Sequence, residues 1–156
     1  MAGRVTPATL LLDRVGVPHV VHAYEPGPGA YGPAGAAALG VAPERMLKTL
    51  VAELDGRLVC AVVPVSGSLD LKALAAVLGG KRAVLAEPAV AERSSGYVVG
   101  GISPLGQRTP LPTAVDETAE LHDTVHVSAG RRGLSVELAP ADLVRLTAAV
   151  VGDLAR

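Results

Sequence analysis

A lone pairing of residue types carries most of the chemistry this chain can offer: Lys48, in MLKTLVAEL, and the glycine-rich stretch GYVVGGISPLGQ from Gly96 to Gln107. Lysine is rare here, occurring only at 48, 72 and 81, while arginine is the usual base. Lys48 stands just ahead of an apolar alternation. It can be a strand-end lysine whose stem lies on apolar surface and whose ammonium reaches water. It can equally be a point charge at the mouth of a pocket, holding a carbonyl or phosphate oxygen. The stretch from Gly96 to Gln107 holds four glycines and a proline in twelve residues. Such bare backbone marks either a tight loop or a close approach to a ligand.

Several familiar chemistries are excluded by neighbouring residues. Gly101 and Gly106 have the spacing of a phosphate loop, but Gln107 and Arg108 follow where Lys and Ser or Thr are needed. Pro110 and Pro112 also oppose the helix such a loop opens. Ser103 suggests a nucleophile elbow, but Leu105 takes the second glycine position, and Pro104 has no N–H to give an oxyanion hole. The four histidines, His19, His22, His122 and His126, form no HExxH and no zinc-spaced set with cysteine. They read as partly exposed residues on sheet edges, His122 and His126 in a strand-like region. Cys60, alone in LVCAVV, reads as a buried apolar residue. No metal and no cofactor is expected.

The elements that must position these residues follow from pattern. Thr6, Pro7 and Gly16 bound a helix with Ala8, Leu11, Leu12 and Val15 on one face. PHVVHAY is a strand. EPGPGAYGPAG is a loop, and AAALG is at most a short helix. LKTLVAEL and RLVCAVVPV are strands joined at Asp55-Gly56, a strong hairpin signal. SLDLKALAAVLGG is a capped helix ending at Gly79, RAVLA a strand, and EPAVAERSSG a short helix with Pro88 in its first turn. PTAVD, TVHVSA and LSVELA are further strands. APADLVRLTAAVVGDLAR is a last helix, with Leu143, Leu146, Thr147 and Val150 on one face. Helices and hairpin-like strands alternate without a βαβ rhythm, so the reading is a single α+β domain over residues 1–156 with a mixed or antiparallel sheet.

Composition bounds the rest. The 156 residues suffice for one domain, which at this size buries about 70% of its unfolded surface. The core must be aliphatic, since Phe and Trp are absent and the only aromatics are Tyr24, Tyr31 and Tyr97. A net charge of −1 gives no global field for nucleic acid, leaving local pairs such as Lys81-Arg82 or Arg131-Arg132. The single cysteine, the absence of an apolar leader and of any membrane-spanning run point to a cytoplasmic protein without a membrane partner.

MLKTLVAELDGRLVCAVVPVSGSLDLKALA, ERSSGYVVGGISPLGQRTPLPT and VHVSAGRRGLSVEL, in that order and in register, resemble the bacterial YbaK/EbsC family. Its members are trans-acting editing proteins related to the insertion domain of bacterial prolyl-tRNA synthetase. The most specific matches are KTL at 48–50 and GYVVGGISPLG at 96–106. The resemblance implies a mixed sheet curled round a small pocket with flanking helices, and deacylation of aminoacyl-tRNA. The substrate it implies is cysteine on tRNA(Pro), with tRNA(Cys) as a further carrier and prolyl-tRNA synthetase as a partner. Release of alanine from tRNA(Pro), or a non-catalytic module binding tRNA or synthetase, are the alternatives. Lys48 matches the family's essential lysine. Tyr24, Thr49, Gly100, Gly101, Ile102, Ser103, Pro104 and Ser128 match its substrate-binding positions. The implied chemistry is substrate-assisted, the cysteine thiol attacking its own ester. Two departures stand out: Ser135 occupies a position where close relatives often carry Asp, and EPGPGAYGPAG is richer in Gly and Pro than its counterpart. Whether Asp116 approaches the site is left open by the sequence.

Overall fold

The computed structural model describes residues 4–25 and 31–156. The first helix, α1 (Pro7–Val15), is fixed by a reciprocal cap: Thr6 Oγ1 accepts the Thr9 N–H at 3.1 Å, and Thr9 Oγ1 accepts the Thr6 N–H at 2.9 Å. Gly16 ends it in the left-handed conformation. Ala8 and Leu12 are buried, whereas Val15, expected on the same face, is exposed.

The strand β1 (His19–Ala23) and the helix α2 (Tyr31–Leu39) follow. The helix begins within the segment expected to be a loop. Proline falls in its first turn, where no N–H partner is needed, and the alanines behind it favour helix. Residues 26–30 of the expected loop lie outside the described residues. A short 3-10 turn, Pro43–Arg45, then leads into β2 (Leu47–Leu54). Asp55 and Gly56, both at positive φ, turn it into β3 (Arg57–Pro64). The chain continues through α3 (Leu71–Val77), β4 (Ala83–Leu85), α4 (Pro88–Ser95) and β5 (Thr113–Asp116). After a 3-10 segment, Glu117–Leu121, come β6 (Val125–Arg131), β7 (Leu134–Leu138), α5 (Pro140–Thr147) and β8 (Val150–Gly152).

The expected last helix is therefore cut short. Ala148 takes φ 52°, and Val150–Gly152 pairs in parallel with β5 instead. Two β-branched valines favour a strand, and Gly152 fits because a Cβ there would lie 2.6 Å from Val77.

The strands form two sheets. One is antiparallel in the order β1-β7-β6; the other is mixed, β4-β2-β3-β5-β8. They meet at a parallel bridge between Met46 and His126, beyond which no ladder joins β2 to β6 among the described residues. The architecture is the expected α+β one, with a sheet that curls and does not close. One aliphatic core fills the space between the sheets, where Leu47, Val51, Val62 and Val115 meet Val127, Leu134, Val136 and Leu138. A second lies on the outer face of the mixed sheet, where Ala61, Val63 and Ala114 meet Leu74 of α3 and Leu154. Truncating a fully buried leucine such as Leu134 or Leu154 costs about 2–5 kcal/mol. Among the described residues no helix is long and apolar enough to cross a membrane.

Candidate active site

A cavity of about 500 Å³ lies where β2 parts from β6. β4 pairs with Ala52–Leu54 of β2 and the Ala86 N–H donates to Val51 O, so the Leu47–Leu50 half keeps a free edge on that side. The cavity lies along this edge. Lys48 and Thr49 both line it, although they project to opposite faces of the strand. Ser128 of β6 and Leu134 and Ser135 of β7 form the facing wall, with Tyr24 from the end of β1. Gly100, Val99 and Ile102 from the glycine stretch form the rim, and Leu85, Ala86 and Pro88 close one end. The lining is chiefly aliphatic with a few polar groups, the composition of a small-molecule site.

Two of those groups are unusual. Thr49 Oγ1 is buried and has no hydrogen-bond partner. A buried hydroxyl left unpaired is costly, and Thr49 is among the residues that line the cavity. Tyr24 packs beside α2, where a Cβ on Gly35 would come within 2.9 Å of the tyrosine ring. Burial raises the Tyr24 pKa, with a backbone hydrogen bond at Gly133 opposing.

The glycine stretch divides its labour. Gly96 caps α4, and Gly100, at φ 91°, turns the chain at the cavity rim. Gly101 does not line the cavity: a Cβ there would sit 2.8–2.9 Å from the backbone of Arg131 and Arg132. It lets the loop press against the β6–β7 turn. Ser103 is fully buried, its Oγ accepting the Leu105 N–H at 3.2 Å, and Pro104 lines a smaller cavity beside Leu11 and Gln107. So Lys48, Tyr24, Thr49, Gly100, Ile102 and Ser128 come together, while Gly101, Ser103 and Pro104 stand behind the rim as its support. Tyr97 fastens that support by donating from its hydroxyl to Leu105 O at 2.6 Å.

Cys60 lies in the core, off the cavity, and burial pushes its thiol up to about 12, with hydrogen bonds from Gln107 and Thr113 opposing. Asp116 is also remote from the lining. Its Oδ1 accepts the N–H groups of Leu154 and Ala155, each at 2.9 Å, and its Oδ2 accepts the Thr118 N–H and hydroxyl. It anchors the chain's last residues.

The histidines depart from expectation. His126 is buried, not edge-exposed, and His122 precedes β6 rather than lying in it. His126, His22 and Glu137 gather on one face of the small sheet, with potential ligand atoms within 4.8 Å of one another. Among the described residues these are the side chains that could hold a metal ion. The carboxylate is already engaged: His22 Nε2 lies 2.9 Å from Oε1, Thr124 Oγ1 donates to Oε2 at 2.5 Å, and Arg45 Nη2 reaches Oε2 at 3.3 Å. The Arg45 cation opposes a dication there. Sequence reading missed this cluster because its members come from three strands; Ser135, noted from sequence as a departure from the family, lines the cavity.

The α+β sheet thus carries a lysine and several hydroxyl-bearing residues along a chiefly aliphatic cavity at its open edge. The profile of the aminoacyl-tRNA editing domain family matches residues 30–146, and the chain belongs to that family. It is 40% identical over 114 residues, 72% of this chain and 69% of the other, to an Enterococcus faecalis protein bearing the provisional name Cys-tRNA(Pro)/Cys-tRNA(Cys) deacylase EbsC. It is 33% identical over 112 residues, 69% of this chain and 67% of the other, to the multifunctional Ser/Thr-tRNA deacylase ProXp-y of Escherichia coli K12. A crystal structure described provisionally as a trans-editing enzyme for prolyl tRNA synthetase superposes with a TM-score of 0.83 at 26% identity, covering 99% of this chain and 96% of that one.

Proposed function

We propose that the protein is a trans-acting deacylase that removes cysteine from tRNA(Pro), and also from tRNA(Cys), through the cavity between β2 and β6. The observation that carries this reading is Lys48 in a chiefly aliphatic cavity whose other polar residues include Tyr24, Thr49 and Ser128. Lys48 holds the ester carbonyl or the adjacent phosphate, and the aliphatic wall takes the small side chain. Tyr24, Thr49 and Ser128 orient the acyl group. Gly100 and Ile102 shape the rim, and Gly101, Ser103 and Pro104 keep it in place.

The nucleophile in this reading is the thiol of the substrate, as the family resemblance implies; that no cysteine lines the cavity and that burial raises the Cys60 pKa support it. The substrate sulfur attacks the carbonyl carbon of its own ester, a C–S bond forms as the C–O bond to ribose breaks, and the thiol proton ends on the ribose oxygen. A thiolactone and free tRNA result. The protein contributes confinement and orientation. Arg131 and Arg132 sit against the rim, Arg132 Nε donating to Val99 O at 2.9 Å, which puts positive charge where the tRNA backbone approaches. Prolyl-tRNA synthetase is the candidate partner that presents the tRNA.

The test is deacylation of Cys-tRNA(Pro), Cys-tRNA(Cys), Ala-tRNA(Pro), Ser- and Thr-charged tRNA and Pro-tRNA(Pro) by the isolated protein. Fast loss of cysteine supports the proposal. Faster loss of alanine, or of serine and threonine, moves the assignment to another branch of substrates. Binding of charged tRNA with an unchanged ester lifetime for every substrate makes the protein a non-catalytic module.

A further inference from the structure

The wall of the cavity that carries Ser135 has a polar layer behind it. β6 and β7 pair with Ser128 opposite Ser135 and His126 opposite Glu137, while His22 of β1 faces Ser135 from the other side. Strand alternation sets all five on one face of the small sheet. The Met46–His126 bridge runs parallel, so Lys48 and Ser128, two residues on in each strand, share that side of the gap.

Glu137 organises the layer. Its carboxyl is held down to about 2 by the Thr124 hydroxyl and by His22, so it is an anion. His126, 2% exposed, places Nε2 3.9 Å from Glu137 Oε1 and Nδ1 3.2 Å from Ser135 Oγ. With the ring proton on Nε2, an N–H faces the carboxylate. With it on Nδ1, a lone pair would face the carboxylate inside the protein, which is repulsive. The anion therefore selects the Nε2–H form. Nδ1 is then only an acceptor, and the Ser135 hydroxyl must donate to it. Burial lowers the His126 pKa and favours the neutral ring, Glu137 opposing.

A serine has one O–H. With that proton directed into the wall, Ser135 can offer the cavity only oxygen lone pairs. An acceptor of fixed polarity in an aliphatic cavity suits a cationic donor, and the donor that an aminoacyl ester brings is its primary ammonium. We propose that Ser135 is the ammonium subsite of this cavity, and that His126 and Glu137 are positioning residues that fix its hydroxyl as an acceptor. The proposal rests on the reading of the cavity as an aminoacyl-ester site.

The experiment compares Cys-tRNA(Pro) with N-acetyl-Cys-tRNA(Pro), which has lost the ammonium. For the free amine, Ser135→Ala raises KM by about tenfold, the scale of a hydrogen bond to a charged group, while kcat changes little. For the N-acetylated ester the same substitution changes nothing, because the interaction is already gone. His126→Asn, whose side-chain oxygen can stand where Nδ1 stands, retains wild-type KM, whereas His126→Phe behaves as Ser135→Ala. Thermal melts check that each variant folds. If Ser135→Ala harms both esters equally, the subsite is refuted while the deacylase reading stands. If the unmodified protein cleaves neither ester, the functional reading fails and the subsite with it.

Discussion

Lys48 and Thr49 are adjacent on β2 and line the same cavity from opposite faces of the strand. This arrangement is open to neighbours only where a strand edge is bare, and β2 is bare there because bonding on that side ends with the Ala86 N–H on Val51 O. The two residues thus bracket one edge of the cavity.

Replacing Lys48 with alanine should lower kcat/KM for Cys-tRNA(Pro) by at least about tenfold with the melting temperature nearly unchanged, since the side chain is only partly buried. Lys48→Arg should also be impaired, because a planar fork does not reproduce a compact ammonium. Single-turnover deacylation checks both. Full activity in Lys48→Ala would remove the lysine from the mechanism.

Thr49→Val should separate activity from stability. The hydroxyl it deletes has no partner in the folded protein, so stability should hold or rise by up to about 1 kcal/mol. Deacylation should slow several-fold, because the shape remains and only the hydrogen bond is lost. A urea titration beside a rate measurement reads both effects. A destabilised but fully active variant would show that the hydroxyl serves the fold.

Much of this arrangement could be read from sequence where the signal is local. Asp55-Gly56, the Thr6 cap and Pro88 each act within a few residues, and the hairpin and both helices appear where those residues require them. Lys48 and the glycine stretch are far apart in sequence, and only the family resemblance, not a local signal, joined them. Longer-range features were not legible. Val150–Gly152 continues a helical pattern, and only the β5 edge makes it a strand. Gly101 looked like a ligand-facing glycine, yet what it accommodates is the backbone of Arg131 and Arg132, some thirty residues on. The His22, His126 and Glu137 cluster has no sequence spacing at all; it exists because three strands pair in one register.

Cys60→Ala should keep most of the deacylation rate, because the thiol lies off the cavity and is held neutral by burial. The substitution leaves a small void and should cost roughly 1 kcal/mol. Replacing the substrate's cysteine by serine should slow the reaction far more, since that removes the proposed nucleophile. Mass spectrometry of the quenched reaction gives the opposing readout: an acyl adduct on Cys60 would overturn the substrate-assisted path.

The last prediction concerns acid. Burial pushes the Asp116 pKa up, but the Thr118 hydroxyl and the N–H groups of Leu154, Ala155 and Thr118 outweigh it and hold the carboxyl below its usual range. A carboxyl whose folded pKa is depressed binds fewer protons in the folded state than in the unfolded one. Its stabilisation is therefore complete above the unfolded value, about 3.9 for aspartate, and disappears as pH falls through the folded value. Glu137, held at about 2, acts in the same direction. Asp116→Asn keeps the shape but turns an NH₂ group towards N–H donors, and should cost roughly 1.5–3 kcal/mol near neutrality. Urea midpoints from pH 7 down to pH 3 should show the native protein losing stability from about pH 5 downward, and the gap to Asp116→Asn narrowing over the same range. A gap that stayed constant with pH would mean that the carboxylate charge does not hold the C-terminal residues, and that shape alone does.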